Sequence, residues 1–94
     1  LSFEQAMNEL TRAMETQPSF EQMRLFRGVV DQFGPGSGIA FFDAVVRPFV
    51  SHLALTGKLA EAARALSHAR LVLAPTRDSQ LDREMAELAR RHRL

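Results

Sequence analysis

The chain has 94 residues, enough for one domain that folds alone with little margin. A net charge of +1 argues against general nucleic-acid or membrane-surface binding, and an apolar content of 46% suits a globular protein. With no cysteine there is no disulfide, thiolate metal site or thiol nucleophile, and no apolar run approaches the ~18 residues of a membrane span.

The first predicted helix runs from about Phe3 to Thr16. Phe3, Ala6, Met7, Leu10, Ala13 and Met14 share one face, and Glu4, Asn8, Glu9, Arg12 and Glu15 take the other. It opens on Ser2-Phe3-Glu4-Gln5, a serine with glutamine three places on, which is the capping-box pattern of a helix start. Gln17-Pro18 ends it, because the residue before proline is pushed out of the helical region.

The same tetrapeptide returns at Ser19–Gln22 and predicts a second serine cap, with a helix running to about Phe33. Phe20, Met23, Phe26, Val29, Val30 and Phe33 form its expected buried stripe, and Arg27 and Asp31 are expected to pair outside. Gly28 inside this helix costs about 1 kcal/mol against alanine and predicts close approach of a neighbouring helix.

Gly34-Pro35-Gly36-Ser37-Gly38 breaks the chain. It lacks the preceding strand and Gly-Lys-Ser/Thr ending of a phosphate loop and reads as an interhelical turn. The third helix spans about Ile39 to Thr56 and is apolar nearly all round at its start, as a buried segment would be. Pro48 in its middle predicts a kink near Ala44, or a split with Pro48 opening the second piece.

A fourth helix runs from about Leu59 to Leu73 with an alanine-rich stripe (Leu59, Ala62, Ala63, Leu66, Ala69, Leu73), and Pro75 ends it. The fifth begins near Asp78 as N-cap and turns Leu81, Met85 and Leu88 inward, with Arg83–Glu87 and Glu87–Arg91 expected as one-turn pairs. Arg90-Arg91-His92-Arg93 suits a helix C-terminus. No strand-like alternation occurs, so the fold class is all-α: about five antiparallel helices in one domain, residues 1–94.

Candidate chemistry is thin. His52, His68 and His92 have no metal-binding partner three or four residues away, and no nucleophile-elbow pattern is present. The carboxylates fall on polar faces. No catalytic residue, metal or cofactor is therefore assigned, and the chain is not read as an enzyme. Arg70, Arg77 and Arg83 lead into the basic C-terminal end, diluted by Glu84 and Glu87. That end supports an alternative reading, a small nucleic-acid-binding or regulatory helical domain.

Gly57-Lys58-Leu59-Ala60-Glu61-Ala62 followed by Leu66, Ala69 and Pro75 resembles a tetratricopeptide repeat. Phe3-Glu4-Gln5-Ala6 with Leu10, Ala13 and Pro18 resembles the same second-helix pattern, and helix two with Gly28 and Ala40 fits loosely as another repeat. The matches at Ala6 and Ala62 are not spaced by the family's period, so the array is irregular around Ile39–Pro48.

The resemblance implies a right-handed stack of helical hairpins whose groove grips a peptide or protein, with Gln22, Leu25, Val29, Arg47 and Ser51 looking into it. It also implies that helix one lacks the first half of its repeat. Phe3, Met7 and Met14 would then edge an exposed apolar strip for a partner or a second copy to cover. The expected function is a non-enzymatic protein–protein interaction scaffold, with nucleic acid and membrane as unlikely partners.

The opening Leu1, in place of methionine, suggests an excised fragment of a longer chain or a processed product, either of which could have lost a targeting segment. No signal peptide is visible, and a soluble, cytoplasmic protein is favoured. Eleven arginines against one lysine point to a GC-rich, bacterial coding sequence.

Overall fold

The computed structural model describes all of residues 1–94 and contains helices and short turns with no strand. The helices are α1 (Phe3–Thr16), α2 (Ser19–Phe33), α3 (39–55), α4 (Leu59–Leu73) and α5 (Ser79–His92). The all-α expectation holds, with five helices.

The capping box at α1 forms as expected: Ser2 Oγ accepts from the Gln5 N–H at 3.1 Å, and the Ser2 N–H donates to Gln5 Oε1 at 2.9 Å. The second does not form. Pro18 is the N-cap of α2, with φ −67° and ψ 162°, and Ser19 is already helical. Gln22 is buried against α1 and donates its Nε2 to the Gln17 carbonyl at 2.8 Å instead of reaching back to a serine N–H. Asp78 caps α5 as expected, accepting from the Gln80 and Leu81 N–H groups.

Pro48 interrupts α3 through a π-helical turn. Ile39–Phe41 is α-helical, Phe42–Val46 is π-helical, and Arg47–Leu55 resumes the α form with Pro48 as its second residue. Proline has no N–H for the Ala44 carbonyl, and its ring would clash with that carbonyl in a regular helix. In the π turn the Arg47 N–H bonds the Phe42 carbonyl, one residue further back than usual, so the backbone widens just ahead of the ring. The helix continues without a break.

The helices pack as a series of neighbours that leaves α1 and α3 apart. α1 lies beside α2, α2 beside α4 and α4 beside α3, while α5 rests against both α3 and α4. Phe26 of α2 and Phe49 of α3 stack across the middle, ring centroids 4.3 Å apart and planes 9° from parallel. Ala62, Ala65 and Ala69 of α4 are fully buried, and such small side chains let one helix take three neighbours closely. Extents of 35 × 31 × 16 Å make a slab two helices deep.

A 40-residue structural repeat underlies this packing. α4 starts 40 residues after α2 (59 against 19), and α5 starts 40 after α3 (79 against 39). α1 is the counterpart of α3: its buried Ala6, Leu10 and Ala13 correspond at the same offset to the buried Val46, Val50 and Leu53. Among helices consecutive in the chain, α1 with α2 and α3 with α4 pack most closely, and α2 makes few backbone contacts with α3. Contacts of Asp31 with His68, Arg47 with Glu84 and Ser51 with His92 show that α2 runs parallel to α4, and α3 to α5.

Candidate functional site

Helices α2 and α4 flank an open groove of about 580 Å³. Along α2 its wall is Phe20, Met23, Arg24, Arg27, Gly28 and Asp31, the three-and-four spacing of one helical face. α4 contributes Glu61 and Arg64. Phe20 is 74% exposed, a large apolar ring left in water. Gly28 has no neighbour within 4 Å of where a Cβ would stand, so it leaves open space in the wall. The expected close helix approach at Gly28 is therefore corrected: the glycine opens the groove.

Three arginines meet this groove in different states. Arg24 is bound by Glu21 through two hydrogen bonds of 2.6 and 2.8 Å. That bond holds the Glu21 carboxyl below its usual range and keeps Arg24 the more firmly protonated. Arg64 pairs with Glu61 at 3.3 Å. These two Glu–Arg pairs are repeat counterparts, 40 residues apart (61 against 21, 64 against 24). Arg27 is exposed and has no ion-pair or hydrogen-bond partner. Its expected partner Asp31 is instead taken by His68 Nε2 at 2.7 Å, a tie between α2 and α4 at one end of the groove. The site thus offers an apolar ring and an unsatisfied guanidinium on one face of α2, about two turns apart, which suits an extended segment with a carboxylate and an apolar side chain at separate positions.

The residues expected in the groove lie elsewhere. Gln22 is 5% exposed and Val29 3%, so both belong to the packed interior. The Gln22 Oε1 atom is buried without a partner. Leu25 is half-buried and faces shallow crevices toward α1. Arg47 and Ser51 tie α3 to α5: the Arg47 guanidinium bonds Asp43 and, at 2.8 Å, Glu84, and it sits 4.9 Å over the Phe42 ring. The bond to Glu84, foremost, raises the Arg47 pKa. Ser51 Oγ lies 3.1 Å from His92 Nε2. None of the five residues expected in a groove, three on α2 and two on α3, lines the space between α2 and α4. Phe20 was expected in the core with Met23 and Phe26, but it stands exposed at the start of α2 while those two are buried. Glu-x-x-Arg occurs at Glu21–Arg24 and Glu61–Arg64 but also at Glu9–Arg12 and Glu87–Arg90, so the motif alone does not single out this face.

The expected apolar strip on α1 is part of a second cavity. Met7 and Met14 are half-buried and line a cleft of about 330 Å³ with Leu10, Ala44, Val45, Pro48 and Phe49. Phe3 sits at one side, 38% exposed, its edge against Phe33 at 5.3 Å. On α5 the bonded pairs are Arg47–Glu84 and Arg90–Glu87 in place of the expected Arg83–Glu87 and Glu87–Arg91. No three His, Asp or Glu side chains gather as a metal site would need. No helix is long and apolar enough to cross a membrane.

Comparison with protein-family models, curated proteins and solved structures finds no match. Function is therefore argued from the chain's own surfaces.

Proposed function

We propose that this chain is a non-enzymatic protein–protein interaction module, an irregular tetratricopeptide-like stack that holds a peptide segment of its partner in the α2/α4 groove. The observation that carries the reading is the free Arg27 guanidinium and the exposed Phe20 ring on one wall of the groove, with the space Gly28 leaves open in the same wall. Exposed aromatic and arginine side chains are the residue types that most often carry binding energy at interfaces. A segment with a carboxylate would pair with Arg27 and lay an apolar side chain against Phe20.

The test is selection of peptides on the folded chain from a displayed library, then affinity measurement on variants. Arg27→Glu and Phe20→Ala should each weaken the selected peptides about tenfold or more, which is ~1.4 kcal/mol. Unchanged affinity in both variants would refute the groove.

A second reading, nucleic-acid binding through the basic end, is favoured only by Arg83, Arg91 and Arg93, which are exposed and unpaired. Titration with duplex DNA at two salt concentrations separates the two readings, since phosphate binding weakens steeply with salt.

A further inference from the structure

The cleft between α1 and α3 is the vacant counterpart of a filled junction. In the second half of the chain α3 and α5 are tied by Arg47–Glu84 and Ser51–His92. Forty residues earlier the corresponding positions are Met7 and Ala44, and Thr11 and His52, and all four line the cleft. Met7 carries no charge for Ala44 to meet, and the short alanine side chain leaves the space between them empty. Thr11 and His52 make no side-chain bond to each other. The same neighbours that close on each other in one repeat stand apart in the other, with an apolar floor of Leu10, Val45 and Phe49 between them.

The rim has a sign. On α1, Glu4 and Glu15 lie on the same side as Thr11 by helical spacing, and both are exposed. No arginine or lysine lines the cleft. On α3 the rim is Ala44 and Pro48, with the 78% exposed Leu55 further along. Methionines suit such a surface, because their flexible thioether chains repack around different side chains.

We propose that this cleft is a second docking surface, distinct from the α2/α4 groove, and that it takes a basic amphipathic helix of a protein partner. The occupant's apolar face fills the space between Met7, Met14, Ala44 and Pro48, and its lysines or arginines meet Glu4 and Glu15. A second copy of this chain is a poor occupant. Its basic helix, α5, turns its apolar residues Leu81, Met85 and Leu88 into its own core.

The probe is a pair of synthetic helical peptides of equal length, one of leucine and lysine and one of leucine and glutamate, each fluorescently labelled. Anisotropy titration of the whole chain should give saturable binding of the lysine peptide at least tenfold tighter than of the glutamate peptide. Thr11→Arg, an exposed position with no bond to lose, should weaken the lysine peptide tenfold or more, and Arg27→Glu in the other groove should not weaken it. The proposal is overturned if both peptides bind alike, if Thr11→Arg leaves binding intact, or if sedimentation shows a dimer that Thr11→Arg dissolves.

Discussion

Two phenylalanines six residues apart on α2 have opposite tasks. Phe26 is fully buried and stacked on Phe49, whereas Phe20 projects into the groove. Truncating a buried phenylalanine costs about 3–5 kcal/mol, a large share of the ~5–15 kcal/mol total of a domain. Phe26→Ala should therefore lose most of its cooperative urea transition, and Phe20→Ala should shift stability by less than about 0.5 kcal/mol. Equal effects of the two substitutions would mean that Phe20 is a core residue. Glu21 gives a pH-dependent prediction. Its folded-state pKa is lowered from 4.5, so its pair with Arg24 stabilises above the unfolded value and is lost as pH falls through the lowered one. Glu21→Gln should be slightly less stable than the parent at neutral pH, and the difference should close in acid.

At the scale of elements, the caps and the glycine separate local pattern from tertiary context. Ser2→Ala removes a formed cap and should cost about 1 kcal/mol, while Ser19→Ala removes none and should cost only a few tenths in thermal or urea unfolding. The same tetrapeptide differs in effect because Pro18, one place earlier, already supplies the non-helical turn into α2. Gly28→Ala should stabilise by up to about 1 kcal/mol, since it lies in a helix interior with no neighbour for a Cβ to strike. If the α2/α4 groove is the binding face, the same substitution should weaken selected peptides. Gly57, at φ +83°, is the opposite case, and Gly57→Ala should destabilise. The helix spans, the Asp78 cap and the trouble at Pro48 were legible because each rests on chemistry within one turn. The choice of a π turn over a kink was not, because it depends on what the widened helix packs against.

Across the whole molecule, the sequence-level matches at Ala6 and Ala62 pair helices that hold different places in the fold. α1 corresponds to α3, and α4 to α2, at an offset of 40 residues. Few identical residues mark that offset, among them Glu21 and Glu61, Arg24 and Arg64, Pro35 and Pro75, and His52 and His92, so pattern reading passes over it. The resemblance implied groove residues on α2 and α3, but which face of α2 stays open is decided by where α1 and α4 press on it, and that is set by residues far along the chain. The exposed α1 strip was legible as apolar, and its form as a cleft followed only from the distance kept between α1 and α3. The central claim is that partner peptides bind the face made by α2 and α4. The direct test is an amide chemical-shift map of the folded chain with a selected peptide. The account predicts shifts concentrated on residues 19–31 and 61–68. Shifts confined to the α1/α3 cleft or to the basic end of α5 would contradict it.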